Sequence, residues 1–125
     1  MAIDPVDRER ADLLETLTKH RGFLRQTIEG LDDEQVRTRS TASELCVGGI
    51  VKHVTAVERT WRDFMRIGPD AFNSSPEEYM AQWRVDDGQT AASLLADYDA
   101  NAALTDELLA SANLDEEHAL PPATW

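Results

Sequence analysis

The sequence predicts an all-α helical bundle. Apolar side chains recur at spacings of three and four along three long stretches. Helix-start signals stand ahead of the first two of these stretches. No run of alternating β-branched residues bounded by turn dipeptides is present, so nothing asks for a sheet. The 125 residues make one domain, and amphipathic helices with wide apolar stripes bury them against one another.

The first helix starts at Asp4-Pro5, an N-cap followed by proline at a position whose N–H is spare. Leu13, Leu17, His20, Leu24, Ile28 and Leu31 form its stripe, and Gly30 ends it. A short helical turn comes next, with Asp32 as N-cap, Gln35 as its capping-box partner and Leu31 and Val36 as hydrophobic staple. Thr41-x-x-Glu44 is a second capping box, predicted to open the second long helix. That helix places Cys46, Ile50, His53, Val57, Trp61 and Phe64 on its expected core face and stops near Gly68-Pro69. Gly48-Gly49 costs helix propensity, about 1 kcal/mol each relative to alanine. Small residues there allow close approach of another helix or a ligand, and simple close packing is the favoured reading. Ser75-Pro76-Glu77-Glu78 starts a short helix running to about Trp83. The third long helix spans about Gln89 to Ser111, with Leu94, Leu95, Tyr98, Ala102, Thr105, Leu108 and Leu109 inward. Pro121-Pro122 breaks helical structure at that point of the chain.

The formal net charge is −12. It excludes a nucleic-acid binder, which needs a basic face for phosphates, and disfavours an anionic membrane surface. No apolar run is long enough to span a bilayer, and the acidic N-terminus lacks a signal peptide's apolar stretch. The single cysteine, Cys46, excludes an internal disulfide and fits a reducing cytosol. Residues 1–62 hold 10 basic and 11 acidic side chains, whereas residues 63–125 hold 2 and 13, a net −11. Such a half is either a solvated surface or one that faces positive charge, such as a basic segment or a partner.

His20 and His53 sit on apolar stripes, and an imidazole there needs a partner for each buried nitrogen. Each is read either as a hydrogen-bonded core histidine or as a ligand or acid–base group inside the bundle. His118 comes after an acidic pair in a loop. The three lack an HxxxH spacing, and a catalytic zinc-type centre wants three protein ligands. Cys46 lies two turns before His53, about 10 Å along the axis, too far for a catalytic pair, and reads as a small apolar filler. Trp61, Trp83 and Trp125 read as packing or anchoring residues. Glu58 is expected to pair with Arg62, one turn on, at the surface.

Gly49-x-Val51-Lys52-His53-Val54 and Val57-Glu58-Arg59-x-Trp61 resemble the DinB/YfiT-like metalloenzymes, closest to the branch related to mycothiol-dependent maleylpyruvate isomerase. Leu13-Leu14, Lys19-His20-Arg21, Leu24-Arg25 and Leu120-Pro121-Pro122 are similar to that branch as well. The resemblance implies a four-helix bundle holding a divalent metal, nickel or zinc, on three histidines. His53 matches the ligand from the second long helix. The other two would come from an HxxxH on a fourth long helix beyond Trp125, and His20 and His118 do not replace them. The expectation is a single DinB-like domain over residues 1–125, C-terminally incomplete and holding little metal by itself. Self-association as a homodimer would cover the apolar surface left open. The implied activity is a cytoplasmic, metal- and mycothiol-dependent transferase or isomerase acting on a small-molecule substrate. The alternative is a non-catalytic bundle that binds a small molecule or partner, or an inactive remnant.

Overall fold

A computed structural model describes residues 2–122, so the expectation for Trp125 lies outside the described residues. Four α-helices run in the order α1 (Pro5–Ile28), α2 (Val47–Ile67), α3 (Pro76–Ala81) and α4 (Ala91–Ser111). Two 3-10 turns, Gln35–Arg37 and Gly68–Ala71, join them, and no strand occurs among the described residues. The fold is the all-α bundle that the periodicity predicts, consistent with the DinB-like bundle that the resemblance implies. No helix of the described residues is long and apolar enough to cross a membrane.

Most of the predicted start signals form. The Asp4 side chain accepts from the Val6 N–H at 2.8 Å, with Pro5 in the first turn. Asp32 and Gln35 exchange reciprocal bonds of 2.7 and 2.9 Å, although the turn they cap is 3-10 rather than α. Ser75 and Glu78 close a capping box on α3; α4 starts on a box of Thr90 and Ser93 that is not among the predicted signals. The box at Thr41 does not form. Thr41 Oγ1 pairs instead with the Ser43 hydroxyl at 2.9 Å in an open bend. Cys46 is the true N-cap of α2, extended in backbone, with Sγ accepting from the Gly49 N–H at 3.3 Å. This half-buried cap corrects the reading of Cys46 as apolar filler.

α2 packs chiefly on α4, and α1 lies against both. Ile28, Val36, Val51, Leu94 and Tyr98 are the centre of the core. The buried face of α2 therefore differs from the expected one. Gly48, Gly49, Val51, Thr55 and Arg62 are buried, whereas Val57 is 37% and Trp61 48% exposed. Trp61 packs edge-on against Phe64 and Phe72 on the outer side. α4 selects the small and polar face because its own buried Asn101 and Thr105 satisfy Thr55 and Arg62 there.

The expected surface pair of Glu58 and Arg62 also dissolves. Glu58 faces α1 and α4, accepting from Arg21 at 2.8 Å and from the Asn101 amide at 2.8 Å. Arg62 is buried and donates to Asn101 Oδ1 at 2.6 Å and to Thr105 Oγ1 at 3.3 Å. Burial works against the Arg21 charge, but hydrogen bonds to Asp106 and Glu58 outweigh it and hold the guanidinium protonated. Burial likewise pushes the Tyr98 phenol up, and the Glu58 carboxylate adds to it. The acidic second half meets the chain's own cations: Arg21 pairs with Asp106, Arg25 with Asp99, and Lys52 with Asp86.

Candidate active site around His53

His53 sits in the first half of α2, beneath the segment that leaves α3. Its ring stacks on Trp83 with centroids 3.5 Å apart and planes 14° from parallel. Tyr79 meets it edge-on at 5.8 Å. Gly49, one turn earlier, makes this possible. A Cβ there would stand 2.1 Å from the Trp83 carbonyl oxygen, so the glycine lets the backbone of residue 83 rest directly on α2. Lys52 Nζ then donates to the Arg84 carbonyl at 2.8 Å and to Asp86 at 2.9 Å. From the far side Arg37 donates to the Asp86 carbonyl at 2.7 Å. The aromatic wall over His53 is thus clamped from two elements, each supplying a cation to free carbonyls.

Nδ1 of His53 is buried and has no hydrogen-bond partner among the described residues. Loss of solvent lowers the imidazole pKa below its ordinary value of 6.5, and the neighbouring Gln82 side chain opposes that shift without cancelling it. The neutral ring is therefore the form that dominates at neutral pH. Because folding disfavours the protonated ring, the stability contribution of His53 is complete above pH 6.5. It is lost as pH falls through that value towards the lowered one. An NMR pH titration is expected to place His53 below 6.5, and Trp83→Ala, which re-exposes the ring, should move it back up. An unchanged midpoint in the variant would show that the stack does not desolvate the ring.

The other histidines lie elsewhere. His20 is exposed, contrary to its expected core position, with Nδ1 2.9 Å from the Thr16 carbonyl. The later part of its stripe, Leu24, Ile28 and Leu31, packs on the core, whereas Leu13 and His20 lie on the part of α1 that the other helices leave uncovered. His118 is in a loop, as expected, with Nε2 3.0 Å from the Met65 carbonyl at the end of α2. Among the described residues no three His, Cys, Asp or Glu side chains come together to hold a metal ion. The His53 ring is flanked by the rings of Trp83 and Tyr79 and belongs to no such cluster, so these residues do not by themselves fit a three-ligand metal centre. No sequence pattern singles out Tyr79 or Gln82, and Trp83 reads from sequence as a packing or anchoring residue. The signal for all three is Gly49 one turn before His53, which marks a close backbone approach from outside the helix.

Searches of curated proteins and of solved structures give no match to this chain. The family of mycothiol S-transferases matches residues 12–125, which include every element of the site. The chain belongs to the mycothiol S-transferase family.

Proposed function

We propose that this protein transfers mycothiol to an electrophilic small molecule, with His53 at the reacting centre. The observation that carries this is the buried, unpartnered Nδ1 of His53 in a chain of this family. Native proteins rarely leave such an atom unpaired without a use for it. A thiol entering beside the ring passes its proton to the imidazole. The thiolate sulfur then bonds to an electrophilic carbon, and the displaced group departs with the bonding pair and takes up the proton. Trp83 and Tyr79 exclude water from one side of the ring. His53 is also the residue that would contribute to a nickel or zinc centre.

The test is conjugate formation from mycothiol and a chlorinated nitroaromatic electrophile, measured by mass spectrometry with and without added zinc or nickel. The chain should exceed the uncatalysed rate, and His53→Ala should lose about 100-fold, the scale of a removed acid–base group. No acceleration under any condition would sink the transferase reading and leave a non-catalytic binding bundle.

A further inference from the structure

A cavity of about 260 Å³ lies between α2 and α4, immediately beside the His53 site. Lys52 and Arg59, two turns apart on one face of α2, line one side. Asp97 and Leu94 of α4 line the other, and Gln82 and Gln89 complete the lining. Gln82 directly precedes Trp83, the residue stacked on the His53 ring, so the cavity adjoins the site.

The chemistry of this lining is unusual. Arg59 and Asp97 carry opposite charges into one cavity, yet neither forms an ion pair or side-chain hydrogen bond among the described residues. Lys52 spends two of its three protons on Arg84 and Asp86, leaving one. Gln89 uses Oε1 on the Asp86 N–H and keeps its amide protons. An anion would meet Asp97, and a cation would meet Lys52 and Arg59. A neutral ring bearing several hydroxyls suits both, because each hydroxyl donates and accepts. Ala56 of α2, only partly buried, offers an apolar patch for the ring's carbon face. The volume falls below the roughly 300 Å³ at which whole-ligand pockets begin, so the cavity fits a fragment of a ligand.

We propose that this cavity is the subsite for the polyhydroxylated, sugar-like portion of the thiol, with Arg59 and Asp97 determining specificity. The inference rests on the mycothiol reading, and it adds the half of the molecule that carries no sulfur. A sugar held there through Gln82 would direct the cysteinyl end towards His53.

Titration calorimetry on the full chain tests it with three probes: mycothiol, N-acetylglucosaminyl-inositol and N-acetylcysteine. The sulfur-free fragment should bind and compete with mycothiol. Arg59→Ala with Asp97→Asn should weaken mycothiol and the fragment at least tenfold while leaving N-acetylcysteine unchanged. Both side chains are exposed, so the fold should survive, and circular dichroism checks that. Mycothiol binding that is indifferent to the double variant overturns the subsite and leaves the transferase reading intact. So does a fragment that fails to bind where mycothiol binds. Absence of mycothiol binding altogether overturns both.

Discussion

Asn101→Leu is expected to lower the unfolding free energy by about 3 kcal/mol, one of the largest effects of any single substitution here. Asn101 is 4% exposed and stands where three helices meet. Its Oδ1 receives the Arg62 guanidinium at 2.6 Å, and its amide donates to Glu58 at 2.8 Å and to the Thr55 carbonyl at 3.2 Å. Leucine has the same number and branching of side-chain heavy atoms, so the loss is electrostatic rather than a cavity. Each hydrogen bond to a charged group is worth roughly 1.5–3 kcal/mol, and both Arg62 and Glu58 would lose one while remaining buried or nearly so. Arg62 forms no ion pair with a carboxylate among the described residues, which makes the Asn101 oxygen its main compensation. Glu58 would keep Arg21. For a domain of this size the deficit lowers Tm by roughly 10 °C. Asp106→Ala is the matched control. It removes a partner of Arg21 through a side chain 44% exposed, and should cost no more than about 1 kcal/mol. Chemical denaturation of both variants measures the difference. A loss below about 1 kcal/mol for Asn101→Leu, less than one charged hydrogen bond, would mean that water reaches Arg62 and that α2 and α4 do not meet on this face.

The same residues show what the sequence could and could not disclose. Caps and turns were legible because their chemistry is local: Asp4-Pro5, Asp32 with Gln35, and Ser75 with Glu78 each need only neighbours within a few positions. The family was legible from the run around His53, whose spacing survives without a structure. The buried face of α2 was not legible. Hydrophobic periodicity assigns the core to Ile50, Val57 and Trp61, but α4 brings Asn101 and Thr105, and these recruit Thr55 and Arg62 instead. A polar core of this kind depends on pairs 39 to 46 positions apart in sequence, which no local pattern encodes. The wall over His53 was hidden for the same reason, since Trp83 reaches it from 30 residues downstream. The cap at Cys46 was hidden because its bond to Gly49 competes with a better-looking box at Thr41. The hydroxyls of Thr41 and Ser43 prefer each other.

Gly49→Ala should be the second large effect, and it carries stability and site together. Ordinarily the change favours a helix by about 1 kcal/mol. Gly22 in α1 has nothing within 4 Å of an added Cβ, so Gly22→Ala should stabilise by an amount of that order. At Gly49 the new carbon would lie 2.1 Å from the Trp83 oxygen and 3.0 Å from its carbonyl carbon. Both obstacles are backbone and cannot rotate aside. The turn after α3 must lift, against the grip of Lys52 on Arg84 and of Arg37 on Asp86. Overpacking of this kind costs about 1–3 kcal/mol or more, so after the propensity gain a net loss of about 2 kcal/mol is expected. The lift also draws Trp83 off the His53 ring. The imidazole then regains water, and its pKa should rise towards 6.5. Denaturation and an NMR titration of the same variant read the two consequences separately. Matching stability changes at Gly22 and Gly49 would show that residue 83 does not rest on α2. A destabilised Gly49→Ala with an unmoved His53 midpoint would show that some group other than Trp83 keeps water from the ring.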